Sequence, residues 1–408
     1  MIDRKELYRF PWSKTDNPGG WIEVTDVCDL QCPGCYRSQI EGHRALESVR
    51  KDIEDTVRLT NCDYVTIAGG EPLGYPSILE VVRFIRTLNV KPIIISNGLL
   101  LTPELALQLK GAGLAKIHLH IDSAQKREGW TGKTETELNE LRQYYADMLW
   151  NLKGIQCGFH VTIFRSNLDD ITPIVSWCLR NLHKVQHISF IAYRAIVKDS
   201  RFNFIAEGKL IDQEEYLKNS PGHHEVSITS DEMYSSLLQS YPDLHASAYL
   251  NGSSKYEINK FINIAAIGTK DKWHGVLGAK TVELSQVFYH FFNRRYFAFL
   301  DSASVGKKVF IASLFDREVR KSLKRFFETC LQNPFHLFKK IYVQSIHFQQ
   351  PNEVDDGMIN FCDDCPNMMA YRGKLINSCR LDEYRIFGGP IQVFKTVEKK
   401  GEEIASRS

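Results

Sequence analysis

Between residues 21 and 193 the chain alternates six times between a short apolar run with strand texture and a longer segment with helical spacing, and few folds accommodate that rhythm. Strands are expected near 21–26, 63–68, 92–97, 116–122, 157–164 and 187–193. Helices are expected over 44–59, 76–89, 103–113, 134–152 and 168–181, with Thr102 and Pro103 as a cap and first-turn pair. Consecutive βα units imply a parallel sheet with right-handed crossovers, so the fold class is α/β, a partial (β/α)6 TIM-type barrel. Period-two alternation then sorts the faces of each strand. In the fourth strand Ile117, Leu119 and Ile121 should face the helices, and His118, His120 and Asp122 the lumen. The same rule turns Glu23, Thr25, Thr66, His160, Thr162, His187 and Ser189 inward. A purely structural barrel is filled with branched aliphatic residues, so a polar lumen with several imidazoles reads as a cavity for ligands.

After residue 200 the texture changes, and the barrel core is assigned to 1–200. Residues 201–350 lack βα alternation and interleave aromatic with basic residues, as in VFYHFFNRRYFAFL and LKRFFETCLQNPFHLFKKIY. They are expected to form a mainly helical aromatic-rich insertion. Phe288, Phe291, Phe292, Tyr296, Phe297 and Phe299 lie too close in sequence to point into one core, which leaves a surplus face for an apolar substrate or a lipid surface. A small cysteine module is assigned to 351–390 and a polar tail to 391–408.

Lys and Arg number 51 against 49 Asp and Glu, so nothing in the bulk charge suggests a nucleic-acid partner. The opening MIDRKELYRFPW does not resemble a secretory or transit signal, and a cytoplasmic protein, with peripheral contact at a membrane open, is the expectation. In that setting the ten cysteines read as reduced thiols rather than a disulfide framework. Cys62, Cys157, Cys178 and Cys330 stand alone in apolar stretches and read as small buried hydrophobes. The other six form two triplets: Cys28, Cys32 and Cys35 at C-x3-C-x2-C, and Cys362, Cys365 and Cys379 at C-x2-C-x13-C. Three thiolates in eight residues can fold around one cubane cluster and leave its fourth iron without a protein ligand. Zinc is the competing occupant and would usually take a fourth Cys or His close by.

The first triplet, following a short strand, resembles the signature of the radical S-adenosylmethionine (SAM) superfamily. Gly34 stands where that signature commonly has an aromatic residue, and Tyr36 follows the third cysteine. The run Thr66-Ile67-Ala68-Gly69-Gly70-Glu71-Pro72 resembles the family's GGEP segment. This resemblance implies a SAM-binding 4Fe-4S cluster on Cys28, Cys32 and Cys35, with Gly69, Gly70 and Glu71 receiving the SAM ammonium. Ser96 and Asn97 resemble family positions near the ribose, with Asp122 and Ser123 next in line. The second triplet resembles the carboxyl-terminal cluster of the GTP cyclase of molybdenum-cofactor biosynthesis, and of twitch and SPASM enzymes, which implies a second 4Fe-4S cluster on Cys362, Cys365 and Cys379, near the substrate at the barrel mouth. The activity implied is reductive cleavage of SAM to a 5′-deoxyadenosyl radical that abstracts a substrate hydrogen, in an oxidoreductase or transferase fed by flavodoxin or ferredoxin. A hydrophobic or lipid-like substrate is expected from the aromatic insertion. A polar small molecule or peptide, and a non-catalytic Fe-S or zinc protein, stand as the alternatives.

Overall fold

The computed structural model describes all residues except 1, 34, 36, 38–41, 194–200, 213–227, 298–305, 356–357, 363–364 and 396–408, so Gly34, Tyr36, Phe299 and most of the polar tail lie outside it. After a two-residue strand β1 (Tyr8–Arg9), the strands β2 (Gly19–Thr25), β3 (Tyr64–Gly69), β4 (Lys91–Ser96), β5 (Lys116–His120), β6 (Gln156–Ile163) and β7 (Val185–Ala192) follow one another, all parallel. Between them run α1 (Leu46–Thr60), α2 (Ile78–Thr87), α3 (Pro103–Ala112), α4 (Asn139–Leu152) and α5 (Ile171–Arg180). Every strand and helix of the alternation is present within a few residues of its expected place. The Thr102 side chain does cap α3, accepting from Leu105 N.

Apolar residues on the helix-facing side of the sheet explain the layer. Ile22, Ile67, Ile94, Ile117, Leu119, Phe159, Val161 and Ile188 are buried in one cluster with Val49, Ile53, Val81, Ile85, Leu109, Leu149 and Val175 from the helices. Ile117, Leu119 and Ile121 therefore face the helices as the alternation requires. The sheet does not close. It continues from β7 through β13 (Tyr342–Gln349), which is parallel to β7, and then antiparallel through β11 (Asn259–Gly268) to β10 (Ala248–Asn251) and β1. β12 (Trp273–Leu277) pairs with β11.

The segment 201–350 thus differs from the mainly helical insertion expected of it. It contains helices α6 (Ser230–Ser240), α7 (Ala279–Asn293) and α8 (Arg317–Gln332), but it also gives four strands to the main sheet and two, β8 (Phe202–Ala206) and β9 (Lys209–Ile211), to a small one. The physical reason lies in Asn259–Gly268, which is buried at all ten positions: a segment covered on both faces has no polar alternation to betray it.

At the other edge of the sheet, past β2, lie β16 (Met368–Tyr371) and β17 (Lys374–Asn377), after a small hairpin of β14 (Glu353–Asp355) and β15 (Met358–Asn360). A short helix α9 (Leu381–Ile386) follows, and β18 (Gln392–Lys395) joins β8. The cysteine module is therefore an extension of the barrel sheet. It is seated on α1 by a hydrogen bond from Ala370 N to the Thr56 hydroxyl, 2.9 Å.

Candidate active site

The cysteine loop leaves the carboxyl end of β2, where sites on such sheets gather. Two glycines at the end of β3 fix its course. A Cβ on Gly69 would stand 2.2 Å from Thr25 O, and one on Gly70 2.2 Å from Val27 O, so no other residue lets the two backbones approach this closely. Across that contact Gly70 N donates to Thr25 O at 2.8 Å and Glu71 N donates to Val27 O at 2.7 Å. The GGE run thus carries a structural duty that its sequence did not reveal, which is to clamp the first turn of the cysteine loop to the neighbouring strand.

Glu71 extends the clamp to β4. Its Oε1 accepts from Leu73 N at 2.9 Å and from the Ser96 hydroxyl at 2.8 Å, and its Oε2 accepts from Asn97 N at 2.7 Å. Both lone pairs of Oε1 are used, and one position on Oε2 stays open to a cationic ligand. Burial raises the Glu71 pKa to about 7 against the three donated bonds, so an ammonium arriving beside it would meet a carboxyl poised to ionise. Asn97 reaches back to the loop, donating from Nδ2 to Asp29. Gly69, Gly70, Glu71, Ser96 and Asn97 are thereby brought to one place beside Cys28.

Asp122 and Ser123 stand at the end of the next strand. Burial pushes the Asp122 carboxyl up, yet hydrogen bonds from His120 and Thr162 overcome it and leave the group below the ordinary carboxylate range. His120 Nε2 lies 2.9 Å from Asp122 Oδ2, and Thr162 N donates to the same oxygen at 3.3 Å. Ser123 N donates to Glu135 Oε1 at 2.6 Å, and Glu135 is itself ion-paired with the wholly buried Arg142. Two residues that sequence reasoning missed complete this wall. Gln125 donates from Nε2 to the Cys32 sulfur at 3.5 Å. Arg127, 1 % exposed, donates to Gln125 Oε1 and to the carbonyls of Asn97 and His120, while its NH1 has no hydrogen-bond partner among the described residues. A buried guanidinium nitrogen without a partner calls for an anionic or carbonyl ligand. No local motif surrounds Arg127, so only the fold could bring it to the site.

The thiols fit a metal cluster by their chemistry. Burial, with Asp122 and the other two cysteines, pushes Cys32 up to about 12; burial also raises the half-buried Cys28, while Cys35 is exposed. Thiols held this far from ionisation beside one another become thiolates when a cation stands between them. The donation from Gln125 to the Cys32 sulfur is of the kind that tunes a cluster potential.

Two cysteines of the second triplet, Cys362 and Cys365, meet near the other end of β2. The β16–β17 register sets Met368 against Asn377, so Cys365 and Cys379, just outside that pair, come to the same end of the hairpin. The Cys362 thiol hydrogen-bonds that of Cys365, and both this contact and burial push Cys365 well above the usual thiol range. Met368 is level with Gly20, and Asn17 Nδ2 donates to Cys365 O at 2.6 Å, which places this triplet beside the first residues of β2. Cys28 follows the far end of that strand, roughly 20 Å along it. The lone cysteines Cys62, Cys157 and Cys178 are buried, and Cys330 is partly so.

One ion-pair network ties the module back to the first cysteine loop. Arg37, two residues after Cys35, pairs with Glu23 at 2.9 Å, with Asp26 at 3.1 Å and with Asp382 of α9 at 2.5 Å. Arg385 grips the same Asp26, with NH1 to Oδ1 at 2.8 Å and NH2 to Oδ2 at 2.5 Å. Asp382 is the only one of these five side chains with appreciable exposure.

Comparison with known proteins agrees with this arrangement. The Radical SAM superfamily matches residues 22–178, from β2 to α5. An AdoMet-dependent heme synthase of Methanosarcina barkeri is 26 % identical over 161 residues, 37 % of this chain and 44 % of that protein. A GTP 3′,8-cyclase of Alkaliphilus oremlandii is 33 % identical over 109 residues, 25 % of this chain and 34 % of the cyclase. Among solved structures, SuiB of Streptococcus suis has a TM-score of 0.37 at 15 % identity, covering 56 % of this chain and 48 % of SuiB. The chain spans about half the length of the curated relatives it matches. With the strand order and the cysteine loop in their expected places, the match over 22–178 makes these residues a radical SAM domain, a type whose cofactors are a 4Fe-4S cluster and SAM.

Proposed function

We propose that the protein reductively cleaves SAM and uses the resulting radical to take a hydrogen atom from a substrate held in the barrel lumen. The observation that carries this reading is the joining of the cysteine loop to the ends of β3 and β4 by Gly69, Gly70, Glu71 and Asn97. Cys28, Cys32 and Cys35 would hold the cluster, which when bound would supply the single low-potential electron, received from flavodoxin or ferredoxin, for cleavage of SAM to methionine and a 5′-deoxyadenosyl radical. Glu71 and the backbone at Gly69 and Gly70 orient the ammonium of SAM, and Arg127 NH1 faces its carboxylate. Asn97, Asp122 and Ser123 bind the ribose side. The buried wall formed by Gln125, Arg127 and Asp122 excludes water from the radical's path.

The second triplet holds an auxiliary 4Fe-4S cluster in this reading, supported by the convergence of Cys362, Cys365 and Cys379 at one end of the β16–β17 hairpin. About eight irons and eight sulfides per chain are then expected in the anaerobically reconstituted protein, falling to about four when these three cysteines are replaced by alanine. One zinc with four irons in the wild type would make the second triplet a structural metal site instead.

A lipid-like substrate reached from a membrane surface is favoured by the exposed aromatics. On α7, Phe288, Phe291 and Phe292 are 58, 75 and 74 % exposed, whereas Phe297 packs inward. Near α8, Leu314, Leu331, Phe335 and Phe338 are each about four-fifths exposed. Between Gly306 and Lys340 nine basic residues stand against three acidic ones, which suits an anionic lipid interface. No helix among the described residues is long and apolar enough to cross a membrane, so the contact proposed is peripheral. Flotation with anionic vesicles is the check. Association is expected, and it should weaken several-fold in the double variant Phe335→Ser, Phe338→Ser. A chain that stays at the bottom of the gradient with anionic and neutral vesicles alike leaves a polar small molecule or peptide as the substrate class.

A further inference from the structure

Across four neighbouring strands the lumen carries two rows of side chains. In the first, His118 of β5 is level with Gly158 of β6, and Gly158 with His187 of β7. In the second, His120 is level with His160, His160 with Ser189, and Ser189 with His347 of β13. Five imidazoles therefore face one space. Gly158 is what admits them: a Cβ there would stand 2.6 Å from the His118 ring and 3.1 Å from His187 Cβ. With no side chain between them, the His118 and His187 rings stack at 4.5 Å, and His160 tilts over His118 at 4.8 Å.

From these positions we infer that His118, His160 and His187 form a binding site for a divalent transition-metal ion of the zinc class, separate from both cysteine triplets. Among the described residues this is the one group of three or more His, Cys, Asp or Glu side chains whose candidate ligand atoms all lie within 4.8 Å of one another. A tetrahedral ion with bonds of about 2.0 Å needs its nitrogens about 3.3 Å apart, a closure that modest ring rotations supply. The rings have nitrogens to spare. His118 Nε2 and His187 Nδ1 are buried with no hydrogen-bond partner among the described residues, and the two residues are 9 and 5 % exposed. An orphaned pair of buried imidazole nitrogens is costly unless something binds them.

The charges around the cluster are consistent with a cation. An imidazole is ordinarily neutral at pH 7 and then offers a lone pair to a metal. Lys116 is the opposing charge, two residues before His118 at the amino end of β5. Asp122 answers it from the carboxyl end, where its ionised carboxylate is bonded to His120. His347 stands edge-on to His187 at 4.5 Å and holds that ring's plane. Three imidazoles leave a fourth position for water or a substrate oxygen, the coordination found in catalytic zinc sites. Neutral imidazole also suits zinc among the divalent metals.

The test uses the holoprotein with its cysteines already filled by reconstitution with iron and sulfide, then equilibrated with one equivalent of Zn2+ and desalted. About one zinc per chain is expected, with X-ray absorption showing nitrogen or oxygen neighbours at about 2.0 Å. In His160→Gln, whose side chain is only partly buried and whose loss spares the stacked pair, zinc affinity should fall at least tenfold with iron and sulfide contents unchanged. Gly158→Ala should do the same by driving the His118 ring aside. Sulfur neighbours at about 2.3 Å in the wild type, or equal zinc retention in both variants, overturn the site.

Discussion

Replacing Cys28, Cys32 and Cys35 together by alanine should bring 5′-deoxyadenosine formation from SAM and dithionite down to the level of buffer alone, while the protein stays folded. The two halves of this expectation have separate causes. Activity is lost because the thiols are the only protein ligands proposed for the electron-delivering cluster. The fold survives because the loop's anchors are backbone bonds from Gly70 and Glu71 to Thr25 and Val27, none of which involves a cysteine side chain. Anaerobic assay of the wild type beside the variant, with circular dichroism on both, decides the matter. Continued 5′-deoxyadenosine formation in the variant would falsify the assignment of this triplet.

The second large effect belongs to Arg37. Its guanidinium stands among Glu23, Asp26 and Asp382, and Arg37→Met would take that cation from all three carboxylates, of which Asp26 keeps its pairing with Arg385. Removing one member of a buried ion-pair network typically costs about 3–5 kcal/mol, because the partners remain desolvated without compensation. A loss of that size is expected in urea unfolding of the anaerobic protein. Proteolysis should also begin preferentially near α9, whose Asp382 is released. A stability change below about 1 kcal/mol would mean that water already enters this network and that the module is held by its hairpin alone.

The barrel was legible because its physics is local. Period two on each strand and helical spacing between strands are both written in consecutive residues, and the sorting of Ile117 from His118 follows from them. The first cysteine triplet stands out for the same reason, since its three cysteines fall within eight residues. The strand at 259–268 was hidden because burial on both faces removes the polar half of the alternation. Arg127 and the Arg37 network were hidden for another reason. Their partners are far apart in sequence, with 345 residues between Arg37 and Asp382, and nothing local marks a charged residue as destined for burial. Gly158 is the most instructive case. A single glycine in a strand pattern suggests a bulge or close approach, but what approaches it, two imidazoles from the flanking strands, depends on the sheet register.

The grip on Asp26 has a consequence for the order in which the protein is made. Asp26 and Arg385 stand 359 positions apart, so everything from one to the other must leave the ribosome before the second cation can reach that carboxylate. Until then Cys28, Cys32 and Cys35 sit on a strand end without their lock, while the barrel strands, whose pairings join neighbours in sequence, can already assemble. Iron and sulfide thus have their easiest access to the loop on a nascent chain that has not yet presented α9, whose Asp382 and Arg385 then join the network. A ribosome-stalled chain ending before residue 380 should accordingly load this cluster and lose it faster than the finished protein does.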